Sequence, residues 1–146
     1  IFRYFKNVQV NYAKFFMLKN RQDSPSGKFL NFEFIKEENE IFFFEIIFPP
    51  ETSSPLNLVQ GGMIDAALDE ATSMTAYMAF KEEKLPLTTD HHVLFHRPMP
   101  LGKATMQTKI IKYGKTVTTI EGKLFDQNEK LVATMLHTAL PTSIPN

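Results

Sequence analysis

Residues 57–80 read NLVQGGMIDAALDEATSMTAYMAF. Gly61 and Gly62 open a stretch that carries Asp65, Asp69 and Glu70 among alanines, methionines and a leucine. Glycines at a helix start let a ligand approach the backbone N–H groups closely, and those donors, with the positive end of the helix dipole, suit an oxyanion. A carboxylate two turns further on can serve as a general base or a nucleophile. At about 100° per residue, Ile64, Ala67, Leu68, Ala71, Met74, Thr75 and Met78 share one face, which predicts a side turned to the core. Asp65, Asp69 and Ala76 share a second face, bordered by Gly62, Ala66 and Ser73, whose small side chains leave room for another backbone or a ligand. Glu70 projects about 100° from Asp69, toward Met63 and Tyr77. An acid in an early turn offsets the helix dipole, which accounts for Asp65; the effect fades by Asp69, which therefore asks for another role. A glycine pair by itself is more often only a turn.

The elements that must hold this helix follow from periodicity. Phe2, Phe5, Val8, Tyr12, Phe15 and Phe16 recur at roughly helical spacing, which predicts an N-terminal helix over 1–18, and RQDSPSG breaks it. KFLNFEFI alternates apolar and polar residues as a strand does, ENE turns, and IFFFEIIF is a second strand. PPETSSP stops that strand, because proline cannot feed a central ladder. After the helix come LPLTTDHHVLFHRPMP, KATMQTKIIK, TVTTIEGKLF and KLVATMLHTAL, four further strands. The last three are joined by YGK and DQNE, short enough for hairpins. With no helical crossover after Leu85 the sheet is expected to be antiparallel, and one long helix on a curved sheet is the simplest packing.

Bulk properties narrow the function. The 146 residues suggest a single domain over 1–146. With no cysteine there are no disulfides, thiolate ligands or cysteine nucleophile. Charge balances at 16 basic and 16 acidic residues, and the basic residues are dispersed, so no nucleic-acid partner is expected. No apolar run reaches the roughly 20 residues of a membrane span. The N-terminal stretch is too interrupted by Arg3, Lys6, Asn7 and Lys14 for a signal peptide. A soluble cytoplasmic protein is the expectation.

At this point three segments resemble a known family. SPLNLVQGGMIDAALDEA resembles N-P-L-G-x-x-H-G-G-x-x-x-x-x-L-x-D-x-A of hot-dog thioesterases of the phenylacetate-pathway (PaaI-like) type. LTTDHHVLFHRPMPLG resembles their next strand, T-x-D-L-x-V-x-F-L-R-P-x-x-x-G, and the segment from Lys103 to Thr134 resembles the following hairpins with their basic-x-G-[RK] turn. The resemblance runs over about residues 28–140, with residues 1–20 as an added helix. It implies an α+β hot-dog fold and hydrolysis of an acyl-CoA to an acid and free CoA. No metal or other cofactor is implied beyond the coenzyme A of the substrate.

By position, the resemblance implies that Gly61 polarises the thioester carbonyl through its N–H. Asp69 stands as the catalytic carboxylate, activating water or attacking directly, and Thr88 as a hydroxyl that assists the reacting water. Ser54, Gln60, Gly62, Asp90 and Phe95 fall at substrate-binding positions. Lys112, Tyr113, Gly114, Lys115 and Thr116 fall where CoA phosphates and pantetheine are often held. Such sites form between two subunits, so a homodimer or dimer of dimers is implied, with Thr88–Arg97 at the seam. Ser54 stands for the usual Asn, Gln60 for the usual His, and Asn57 for a glycine. The competing readings are a non-catalytic acyl-CoA or fatty-acid binding module and a hot-dog dehydratase or hydratase. No Asp/His or His/Glu pair of the dehydratase kind is present.

Other candidates are weaker. His92 and His96 share a strand face with His91 opposite, too far apart for one small ion without bending. Ser53, Ser54 and Ser73 lack a nucleophile elbow. Arg97 suits either a phosphate or plain solvation.

Overall fold

The computed structural model describes residues 25–143. The helix expected over 1–18 lies outside them. The order is α1 (Pro25–Phe29), β1 (Glu33–Glu38), β2 (Ile41–Phe48), a short 3-10 turn (Pro50–Thr52), α2 (Gly61–Ala79), β3 (Lys84–Phe95), β4 (Gly102–Lys112), β5 (Thr118–Phe125) and β6 (Leu131–Ser143). The six strands form one antiparallel sheet in the order β1-β2-β4-β5-β6-β3. This is the expected α+β hot-dog arrangement, a long helix on an antiparallel sheet.

One boundary differs from expectation. KFLNFEFI does not form one strand: Lys28 and Phe29 belong to α1, and β1 begins at Glu33. The alternating residues Leu30 and Phe32 are buried all the same, because the turn after α1 drops both into the core, with Asn31 in the left-handed region at φ 47°. Burial explains the alternation there without strand pairing. The β1–β2 hairpin turns through Asn39 and Glu40, at φ 52° and 63°, as two-residue hairpins of the primed type require.

The core lies between α2 and the inner sheet face. Ile64, Leu68, Ala71 and Met74 of the helix meet Phe44, Ile46, Met106, Leu124 and Met135 of the sheet. Gly122 lets the helix come close: a Cβ there would stand 2.9 Å from Thr72 Cγ2 and 3.2 Å from Leu68 Cδ2. The expected core face is buried except for Met78, which is half-buried. The burial is wider than predicted, for Glu70, Thr72, Ala76 and Tyr77 are buried too. Glu70 is not a free acid: Ser26 Oγ of α1 donates to its Oε1 at 2.6 Å. That contact ties α1 to the flank of α2.

Candidate active site

The helix entrance comes first. Gln60 is the N-cap of α2, with its side-chain Oε1 accepting from Met63 N at 3.2 Å. The amide expected to bind substrate thus satisfies one of the open helix donors. Among the described residues the N–H groups of Gly61 and Gly62 have no protein acceptor, so both remain available to an oxyanion. Gly61 opens onto a cleft of about 480 Å³ shared with Ser54, Gln60, Phe95 and Arg97. The exposed Phe95 ring covers Gly61 closely enough that a Cβ there would be 3.4 Å from it. Ser54 shapes the loop before the helix, accepting from Leu56 N at 3.3 Å, and Asn57 takes the left-handed φ of 57° its residue type tolerates.

Two turns along, Asp69 faces the inner side of β3 and β6. Its Oδ1 accepts from Ser73 Oγ at 3.2 Å, and lies 3.5 Å from Thr88 Oγ1 and 3.2 Å from His91 Nε2. Among the described residues its Oδ2 has no protein partner. Asp65 Oδ1 lies 3.1 Å from the other ring nitrogen of His91. Behind them His137 is fully buried, edge-on to His91 with ring centroids 4.6 Å apart. Its Nδ1 lies 2.8 Å from Thr72 Oγ1 and its Nε2 3.0 Å from Thr88 Oγ1.

The tautomer of His137 follows from the partners of Thr72. Thr72 Oγ1 is 2.7 Å from Leu68 O, an acceptor with no proton to give. The single hydroxyl proton belongs to that contact, so His137 Nδ1 carries the proton shared with Thr72 and Nε2 presents its lone pair toward Thr88. Burial pushes the His137 pKa down to about 4 by disfavouring the cation; Asp69 opposes the shift and His91 adds to it. His137 is therefore neutral at pH 7.

A bulge in β3 makes the cluster possible. The pairing with β6 slips between Thr88 and Asp90, so Thr88 pairs with Ala139 while His91 pairs with His137. Residues three apart on a regular strand point to opposite faces. The extra residue at Thr89 brings Thr88 and His91 to the same inner face. Asp90 and His92 are exposed and pair with Thr138 and Leu136 on the outer face. Asp90 is thus not brought to Asp69. His96 also lies outside the cluster, with Nε2 2.9 Å from Thr134 Oγ1.

The remaining predicted residues sit at the far end of α2. Lys112, Tyr113, Lys115 and Thr116 are exposed in the β4–β5 hairpin. Tyr113 packs edge-on against Phe80 at 5.7 Å. Gly114 is required by close approach, since a Cβ there would lie 1.8 Å from Val117 O. Phe80 is eleven residues beyond Asp69, so this turn stands about 16 Å from Asp69 along the helix axis. Gly61 stands eight residues on the other side of Asp69, about 12 Å away. One chain therefore cannot bring Gly61 and Asp69 to the same carbonyl.

His137 escaped the sequence reading, and so did the pairing of His91 with the two aspartates. The signal for His137 is its register: Ala133, Met135, His137 and Ala139 alternate as buried residues of β6. A histidine in an apolar alternation is a buried imidazole that needs partners.

Residues 56–133 match the family model of the thioesterase superfamily. No curated protein matches the chain in sequence. A phenylacetic acid degradation-related protein of Ralstonia eutropha JMP134 superposes with a TM-score of 0.78 at 25% identity, covering 89% of this chain and 99% of that one. The PaaI protein of the Escherichia coli phenylacetic acid degradation operon gives 0.77 at 15% identity over 91% and 96%. A Streptococcus mutans UA159 protein solved with acetyl CoA bound gives 0.70 at 15% identity over 81% and 94%. Matching that family over more than half its length and superposing on such proteins nearly end to end, the chain belongs to the thioesterase superfamily and is a thioester hydrolase of hot-dog fold.

Proposed function

We propose that the protein hydrolyses an acyl-CoA thioester in a site shared between two subunits. The carrying observation is the separation of complementary parts on one helix: unpaired N–H groups at Gly61 and Gly62, and a carboxylate with one free oxygen at Asp69, about 12 Å away. Each half needs the other, and a second copy supplies it. The sheet has two edges on which that copy could pair. β1 is short, bulged and charged at Glu33, Lys36, Glu37 and Glu38, the features that blunt an edge. β3 runs for 12 residues with Lys84 and Asp90 as its only acidic or basic side chains besides histidine, and is the edge open to a two-fold partner.

In this reading the thioester carbonyl enters the cleft at Gly61 and Phe95 of one subunit. The Gly61 N–H stabilises the negative charge that develops on the carbonyl oxygen as water adds. Asp69 of the other subunit takes the proton of that water through Oδ2, and the Thr88 hydroxyl beside it orients the water. The tetrahedral adduct collapses, the C–S bond breaks, and CoA leaves as thiol once its sulfur regains a proton. Substrate class is supported by the acetyl CoA held by the Streptococcus mutans neighbour. It is also supported by the Lys112–Thr116 turn, whose ammonium groups suit phosphate. The reaction requires no cofactor apart from the coenzyme A of the substrate.

Thiol release from a panel of acyl-CoAs tests the proposal. Asp69→Asn keeps shape and removes the base, and should lower turnover at least roughly 10²-fold with CoA binding retained. Near-native hydrolysis by Asp69→Asn would remove Asp69 from the chemistry.

A further inference from the structure

Two imidazoles and a carboxylate converge behind the proposed reaction centre: Asp69, His91 and His137 each present a ligating atom, all within 4.8 Å of one another. The partners of each ring show which atom it presents. His137 spends Nδ1 on Thr72 Oγ1 and keeps a lone pair on Nε2, which accepts from Thr88 Oγ1 at 3.0 Å and which an ion would take over. His91 places Nδ1 against Asp65 Oδ1 at 3.1 Å and Nε2 against Asp69 Oδ1 at 3.2 Å. A neutral imidazole has a single N–H. With that proton turned to Asp65, the Nε2 lone pair faces a carboxylate oxygen across 3.2 Å. His91 Nε2 and Asp65 Oδ1 are both buried without a well-directed hydrogen bond, a deficit that a structure normally explains by an ion, a water or a role.

From this geometry we infer that Asp69, His91 and His137 form a binding site for a borderline divalent transition-metal ion such as Zn²⁺ or Co²⁺. A cation between His91 Nε2, His137 Nε2 and Asp69 Oδ1 turns opposed lone pairs into ligand bonds. Tetrahedral coordination at the usual metal–nitrogen and metal–oxygen lengths sets ligands about 3.3 Å apart, close to the His91–Asp69 separation. Asp65 and Thr72 then hold the two rings from behind, as outer partners of metal-bound histidines do. Imidazole and carboxylate donors favour zinc-like ions over calcium or magnesium. Three protein ligands leave a fourth position open. A bound ion takes up Asp69, so under the proposed function a loaded enzyme hydrolyses thioester more slowly than a chelator-treated one.

Titration calorimetry with Zn²⁺ and visible absorption with Co²⁺, both on chelator-treated protein, test the site independently of activity. Saturable binding near one ion per chain, with the intense absorption of tetrahedral cobalt, is expected. His91→Ala should abolish it, and Asp65→Asn, which keeps all three ligands, should weaken it by about 10-fold or more. His92→Ala, on the outer sheet face, should leave it unchanged. Circular dichroism checks that the variants fold, and Asp65→Asn carries the test should His91→Ala fail to do so. No saturable binding up to about millimolar ion, or affinity unaffected by Asp65→Asn and His91→Ala, would overturn the site. Thiol release by the chelator-treated protein reports on the proposed hydrolysis separately.

Discussion

At the scale of single residues, the sequence singles out Asp69 because the dipole alone does not explain its position and because the family resemblance places a catalytic carboxylate there. Its surroundings were not legible. Ser73 is one turn away on the same helix, but Thr88, His91 and His137 come from two other strands. His137 also makes a testable contribution to stability. The unfolded chain takes up a proton near the ordinary pKa of 6.5, while the folded chain does so only at about 4. Between these values the unfolded state binds more protons, so stability is kept above 6.5 and lost as pH falls toward 4. For this group alone the loss between pH 7.5 and 5 is about 2 kcal/mol. Urea unfolding of chelator-treated protein at the two pH values should show a matching fall, and His137→Gln should show a smaller one. An equal pH dependence in both proteins would mean that folding does not lower the His137 pKa.

At the scale of elements, periodicity in the sequence located the long helix and all six strands, with ends displaced by a few residues. It fails at Lys28 and Phe29, where alternation predicts strand pairing although burial alone produces it. It also could not show the bulge at Thr89. A one-residue insertion in one strand reverses which residues share a face, and that depends on the partner strand, here β6. The glycines of the sheet face were equally silent in sequence. Gly122 stands under Thr72 and Leu68, so adding one methyl there should force helix and sheet apart. Gly122→Ala should cost about 1–3 kcal/mol as overpacking. It should also disturb the Thr72–His137 contact. A denaturation midpoint equal to wild type would show that α2 is less tightly seated than its distances imply.

At the scale of the whole molecule, the two halves of the proposed chemistry are set apart by α2 itself. Asp69 and the Lys112–Thr116 turn lie on one side and the Gly61 cleft on the other, so the proposed hydrolysis requires a shared site. Gly61→Pro makes that testable with little disturbance. Proline is well accommodated at the first helical position, where it removes only the N–H in question. Gln60, at φ −68° and ψ 138°, already has the extended backbone that a following proline requires. Homodimers of Gly61→Pro and of Asp69→Asn should each be folded and nearly inactive. Co-refolded at equal amounts, they form mixed dimers in which one site joins an intact Gly61 to an intact Asp69. Thiol release should then recover to about a quarter of the wild-type rate, since half the dimers carry one working site of two. No recovery, from a mixture shown by differential tags to contain heterodimers, would contradict the shared site at Gly61 and Asp69.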